Sequence, residues 1–233
     1  MKNQKDNLYF HEEIMLLSLR EDDGKLETNA AYIYASHIAS AVLAELIMLN
    51  RIEVQKNDDF TVHLLSNTQT ENELLNTALN MVNADTKDRA ASHWLGKFAA
   101  IKNLRERVAE GLCDKGILKA VEGKAFFFFD KTYYPELNPR PEQELITRLE
   151  KAIFTDTREI DERTLVLLSL LRKSELLKIP FDGKALKERR HRMKEISEGN
   201  LVSEAAQKAA EAAQTAIMVA TMVPIMVTTT IVT

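Results

Sequence analysis

The sequence predicts a mainly α-helical protein: a single compact helical domain, residues 8–233, with two β-hairpins and a buried apolar helix at its C-terminal end. Three observations carry that expectation. Apolar residues recur at helical spacing through most of the chain. Seven glycines and five prolines in 233 residues are too few for a loop-rich all-β fold or a disordered chain. Two short stretches break the helical period with strand-like patterning around polar turns. With 45% hydrophobic and 28% charged residues, a sizeable core is available.

Taken in order, residues 1–7 read as a mobile leader. Leu8 to Leu19 forms the first helix, with Glu12 and Glu13 in its N-terminal half and Ile14 and Leu17 on one face. After the loop EDDGK, Tyr32 to Leu49 is apolar around most of its circumference and should be buried. In RIEVQKNDDFTVHLL, Ile52, Val54, Phe60, Val62 and Leu64 alternate across a KNDD turn, a hairpin pattern. Helices follow at ENELLNTALNMV and SHWLGKFAAIKNLRERVAEGL, the latter with Ile101, Leu104, Val108 and Leu112 as its inward stripe. A second hairpin is expected at GILKAVEGKAFFFFD, turning at Glu122, Gly123 and Lys124. Residues 142–153, 159–172 and 184–197 complete the helices, and ALKERRHRMKEI is strongly basic on its polar face. From Ala212 to Thr233 no residue is charged; Pro224 and the alanine and threonine content favour a buried core helix over a membrane span.

The formal charge of −4 provides no general attraction to a polyanion, so binding to a membrane or nucleic acid requires a local basic patch. The lone Cys113 rules out an intrachain disulfide and fits a reducing compartment. The N-terminus lacks the apolar run of a secretory signal, which predicts a cytoplasmic protein. No glycine cluster has phosphate-loop spacing, so no nucleotide cofactor is expected. HEEIM, at His11, begins like a zinc-protease helix but has methionine where the second histidine would stand, and no metal site is expected. No serine lies in a nucleophile elbow. The expectation is a protein without catalytic residues, cofactors or enzymatic activity.

Two features remain. Lys102 and Arg105, three apart on one predicted helix, project from adjacent positions where they can converge on an anion; Arg107 points nearly the opposite way. The alternative is a solvated helix face. Phe126, Phe127, Phe128 and Phe129 form a run that in a strand exposes aromatic rings on both faces. Either the strand is sandwiched between helices, or one face meets a partner chain or lipid, making the hairpin an oligomer or membrane contact.

FHEEIMLLSLREDDGK, the helix ending AVLAELIMLNRIEV, IKNLRERVAEGLCDKGIL and AFFFFDKTYYPEL occur in an order and near a spacing that resemble the Golgi phosphoprotein 3 family. With the alanine-rich C-terminal helix, the resemblance covers nearly the whole chain and points to a divergent, bacterial-type relative. It implies a helical core decorated by β-hairpins and no catalytic activity. It further implies a cytoplasmic protein, peripheral on membranes (the cytosolic face of the Golgi in a eukaryote), that binds phosphatidylinositol 4-phosphate and links membrane to trafficking partners. The family's headgroup pocket uses a tryptophan, an early-helix arginine and two arginines three apart. The last two correspond to Lys102 and Arg105. Ala30 and Ala39 stand at the other two positions, so a broader preference for anionic headgroups is expected, and lysine offers a point charge rather than a two-pronged donor.

The competing reading is a winged-helix regulator of nucleic acid, because a helix followed directly by a hairpin occurs twice. Glu45, Glu53, Asp58 and Asp59 argue against the first unit; Lys102, Arg105 and Arg107 leave the second open. A structural oligomer built through hairpin contacts is a third possibility.

Overall fold

The computed structural model describes residues 8–19, 28–55, 60–125, 129–172 and 174–199, together with Met218. The described residues are mainly helical, 59% helix and 11% strand, with two small antiparallel sheets among them, as the sequence predicts. Its axis is α2 (Thr28–Met48), whose Ile38, Ala39, Ala41 to Leu46 and Ile47 are all buried. A helix apolar on every side finds cover only by being surrounded. Here α1 (Phe10–Leu16), α3 (Glu73–Ala84), α4 (Ala91–Ala99) and α7 (Glu162–Leu171) pack around it.

The first hairpin pairs β1 (Ile52–Gln55) with β2 (Thr61–Leu64) in the expected alternation: Ile52 opposes Leu64 and Val54 opposes Val62. Ile52, Val54 and Val62 point into the core. A third short strand, β3 (Arg89–Ala90), joins β2, an addition the polar NADTKD segment does not announce. The second hairpin departs from expectation. Glu122, Gly123 and Lys124 are not its turn but lie inside β4 (Val121–Ala125), which pairs with β5 (Phe129–Tyr133) in the register Val121 to Tyr133 and Ala125 to Phe129. Gly123 reads as a turn residue, but a glycine within a two-stranded ladder is tolerated. Phe126 to Phe128 lie outside the described residues, and so do residues 1–7 and, Met218 apart, the apolar stretch from Ala212 to Thr233.

The helix expected over residues 92–112 is two helices. α4 ends at Ala99 and α5 (Leu104–Asp114) begins after Asn103, which adopts the left-handed conformation at φ 54° and ψ 37°. Asparagine visits that region more readily than most residues with a Cβ, so a chain reversal fits here without glycine. The apolar stripe survives the break: Ile101, Leu104, Val108 and Leu112 are all buried.

α6 (Arg140–Phe154) then leads to α7, capped by Asp161, whose carboxylate accepts the Thr164 amide at 2.9 Å. A 3₁₀ turn (Glu175–Lys178) precedes α8 (Gly183–Glu188) and α9 (Arg190–Ser197), which divide the basic segment at Arg189. Among the described residues no helix is long and apolar enough to cross a membrane.

Candidate anion site at the start of helix α5

Because α5 begins at Leu104, Lys102 is not on the same helix as Arg105, contrary to the sequence expectation. Lys102 is exposed in the turn, and Arg105 is half-buried one residue into the helix. The burial of Leu104 and Val108 fixes which way this first turn faces.

Arg105 lies with its guanidinium carbon 5.5 Å from the centre of the Tyr134 ring, within the range of a cation–π contact. Tyr134 is 3% exposed and sits just beyond β5; its hydroxyl is pushed above the usual tyrosine range by burial and by Glu106 and Glu110. Tyr34 of α2, fully buried and donating to the Met15 sulfur at 3.1 Å, is raised by burial against the nearby Arg105 charge. Arg105 is therefore a cation seated between α2 and the β5–α6 connection. Arg107 does turn away: it donates to Glu73 at 2.9 Å and to Thr77 at 2.6 Å, tying α5 to α3.

The N-terminal amides of α5 add partial positive charge beside Lys102, and the Asn103 side chain makes no capping bond to them. Lys102, Arg105 and the helix start thus offer positive charge at one end of α5. Ala39 is buried in α2 and brings only a methyl group to the core; Ala30 lies on the same helix, its side chain outside the described residues. The single tryptophan, Trp94, is buried in α4 against Phe98, ring centres 5.9 Å apart.

Sequence reading missed the charged interior around α1. All seven residues of this short helix are buried, His11, Glu12 and Glu13 included. Lys115 reaches Glu12 at 2.6 Å, Arg148 reaches Glu13 at 2.7 Å, and Arg163 meets Glu45 at 2.7 Å. The two α1 carboxylates do face different partners, consistent with adjacent helical positions. Burial pushes both carboxyls above the usual range, with the opposing cations pulling the other way. The signal available in the sequence was that three glutamates, Glu12, Glu13 and Glu45, occur in segments otherwise apolar enough to be core. Cys113 is half-buried, and burial raises its thiol, the opposite of an activated nucleophile.

With this geometry in view, the model of the Golgi phosphoprotein 3 (GPP34) family matches residues 10–213. The chain belongs to the Golgi phosphoprotein 3 family. It is also similar to the vacuolar protein sorting-associated protein 74 of Schizosaccharomyces pombe, 25% identical over 180 residues, which covers 69% of this chain and 52% of that protein. The chain thus spans about half the length of this curated relative. Matched to the Golgi phosphoprotein 3 family, residues 10–213 include every described helix and both sheets.

Proposed function

We propose that this protein is a non-enzymatic adaptor of membrane trafficking. In this reading it docks from the cytoplasm on membranes with anionic phospholipid headgroups of the phosphatidylinositol 4-phosphate type, at the Golgi in a eukaryotic cell. The observation that carries it is the arrangement at the start of α5, exposed Lys102, Arg105 seated on Tyr134 and an uncapped helix N-terminus, at two positions to which the sequence resemblance assigns headgroup contact. A helix N-terminus flanked by cations favours phosphate oxygens without demanding a particular ring substitution. Alanine at positions 30 and 39, where the resemblance sets a tryptophan and an arginine, agrees with a site selective for charge more than for the 4-position.

Two cations near an anionic surface contribute about 1 kcal/mol each. That is weak attachment on its own, so further contacts are part of the proposal. The Phe126 to Phe129 hairpin is one candidate, either against lipid or against a second copy of the chain. A nucleic-acid reader is less well supported, because Arg107, one of the three cations such a reader would use, is engaged with Glu73 and Thr77.

Vesicle flotation with a parallel gel shift on duplex DNA tests the reading. The protein should float with phosphatidylcholine vesicles carrying phosphatidylinositol 4-phosphate or phosphatidylserine, stay behind with phosphatidylcholine alone, and leave DNA unshifted. Binding to DNA without flotation would replace the membrane reading with the winged-helix one.

A further inference from the structure

The basic segment of α8 and α9 divides its cations into two sets. Arg189 donates to the Phe154 carbonyl at 2.9 Å, and Arg192 donates to the carbonyls of Ala152 at 2.8 Å and Thr157 at 2.6 Å. These two arginines bind α9 to the open C-terminal end of α6, where unsatisfied carbonyls accept cationic donors. On the same flank, Asp156, Arg158, Glu188, His191 and Glu195 join them around a cleft of about 380 Å³ with mixed charge.

Lys187, Arg190 and Lys194 belong to the other set. The helix breaks at Arg189 (φ −91°, ψ 8°), whose amide closes α8 on the Ala185 carbonyl and whose own carbonyl accepts the Met193 amide at the start of α9. Burial nonetheless follows one face across the break: Leu186, half-buried Arg189, Met193 and Ile196 recur at spacings of three and four and turn inward. Positions 187, 190 and 194, at spacings of three and four, fall on one stripe about 10 Å long. All three side chains are exposed. Among the described residues no carboxylate lies within ion-pair distance of Lys187 or Arg190, and Lys194 has Glu198 at 3.6 Å. Just before α8, Ile179 is an apolar side chain left 39% exposed. Its neighbour Lys178 lies against the start of the helix, where a Cβ on Gly183 would meet the Lys178 side chain at 3.9 Å.

We infer that the Lys187–Arg190–Lys194 stripe is a second membrane contact, an electrostatic one, which engages the acidic lipid surface as a whole rather than a single headgroup. This rests on the membrane reading above and extends it to residues outside the α5 site. A convex helix face with separated charges and no cradle cannot select one phosphate but sums attraction over a charged plane. In a chain of net charge −4 such a stripe sets the orientation of approach. Ile179, exposed just before α8, is the kind of apolar residue that enters the headgroup boundary beside a basic helix.

The test compares the parent chain with Lys187→Gln/Arg190→Gln/Lys194→Gln and with Lys87→Gln/Lys119→Gln/Arg140→Gln, which removes the same charge from scattered exposed positions. Binding is read on phosphatidylcholine vesicles containing phosphatidylserine, with melting temperatures to verify folding. At about 1 kcal/mol for each cation, the stripe variant should bind roughly 100-fold more weakly, and the scattered variant should lose far less. Equal losses would reduce the stripe to net charge and overturn the inference. So would a stripe variant that binds like its parent while Lys102→Glu/Arg105→Glu does not, an outcome that leaves the α5 site standing. A parent that binds no acidic vesicle overturns both proposals.

Discussion

His11 lies fully buried, stacked parallel to Tyr9 at 5.6 Å, and neither ring nitrogen has a hydrogen-bond partner among the described residues. Burial, then the charges of Lys115 and Arg163, lower its pKa from 6.5 to about 3. A histidine held neutral in this way contributes stability fully present above pH 6.5. That contribution is lost as pH falls toward about 3, because the unfolded chain takes up the proton first. Between pH 7 and pH 5 the loss from this one group is about 2 kcal/mol by linkage. Glu12 and Glu13, raised by burial, act with the opposite slope, so the test is differential. In urea melts, His11→Leu should lose about 2 kcal/mol less than the parent between those two pH values.

Glu45 makes a sharper case. Arg163 donates to both its oxygens, at 2.7 and 3.1 Å, and the Phe10 amide donates to Oε2 at 2.8 Å, while the guanidinium covers the Phe10 ring at 4.1 Å. Arg163→Met leaves a buried carboxylate without its cation and should cost about 3–5 kcal/mol in chemical denaturation. Glu45→Leu in the same chain should restore more than half of that, since an apolar pair can replace a buried ion pair. Neither the histidine nor the pairing was legible in the sequence. Partners such as Glu45 with Arg163 are 118 residues apart, and local periodicity carries no information about which charges meet inside.

Among the elements, α2 was readable as a long segment apolar on every side and the β1–β2 hairpin by its strict alternation across a polar turn. The α4–α5 boundary was not. Its apolar stripe continues through the break, and the signal for the turn is one asparagine, Asn103, with φ at 54°. The same blind spot misplaced Lys102, so the pair at the candidate site was identified by residue type and order while its geometry was wrong. Asn103→Gly should leave the melting temperature within about 1 °C of the parent, since glycine occupies this conformation freely. Asn103→Val should destabilise by about 1–2 kcal/mol in thermal melts, as a β-branched residue resists the left-handed region. The β4–β5 turn was missed for a related reason: Glu122, Gly123 and Lys124 resemble a turn in composition, but pairing across the ladder decides the register.

At the scale of the whole molecule, an apolar central helix encased by its neighbours supports a charged interior around α1, while exposed cations stand before α5 and along α8 and α9. The fold class and family were legible because they rest on ordered patterns spread over the chain. The proposed function rests on few residues, and Lys102 with Arg105 is the pair on which that proposal turns. The most direct measurement is flotation of Lys102→Glu/Arg105→Glu with vesicles carrying phosphatidylinositol 4-phosphate, beside a melting curve. Reversal of both charges should weaken binding by roughly 100-fold, with a difference from the parent that shrinks as salt rises, and the melting temperature should fall only by the lost contact of Arg105 with Tyr134. A folded double variant that floats as the parent does would contradict the assignment of headgroup binding to the start of α5.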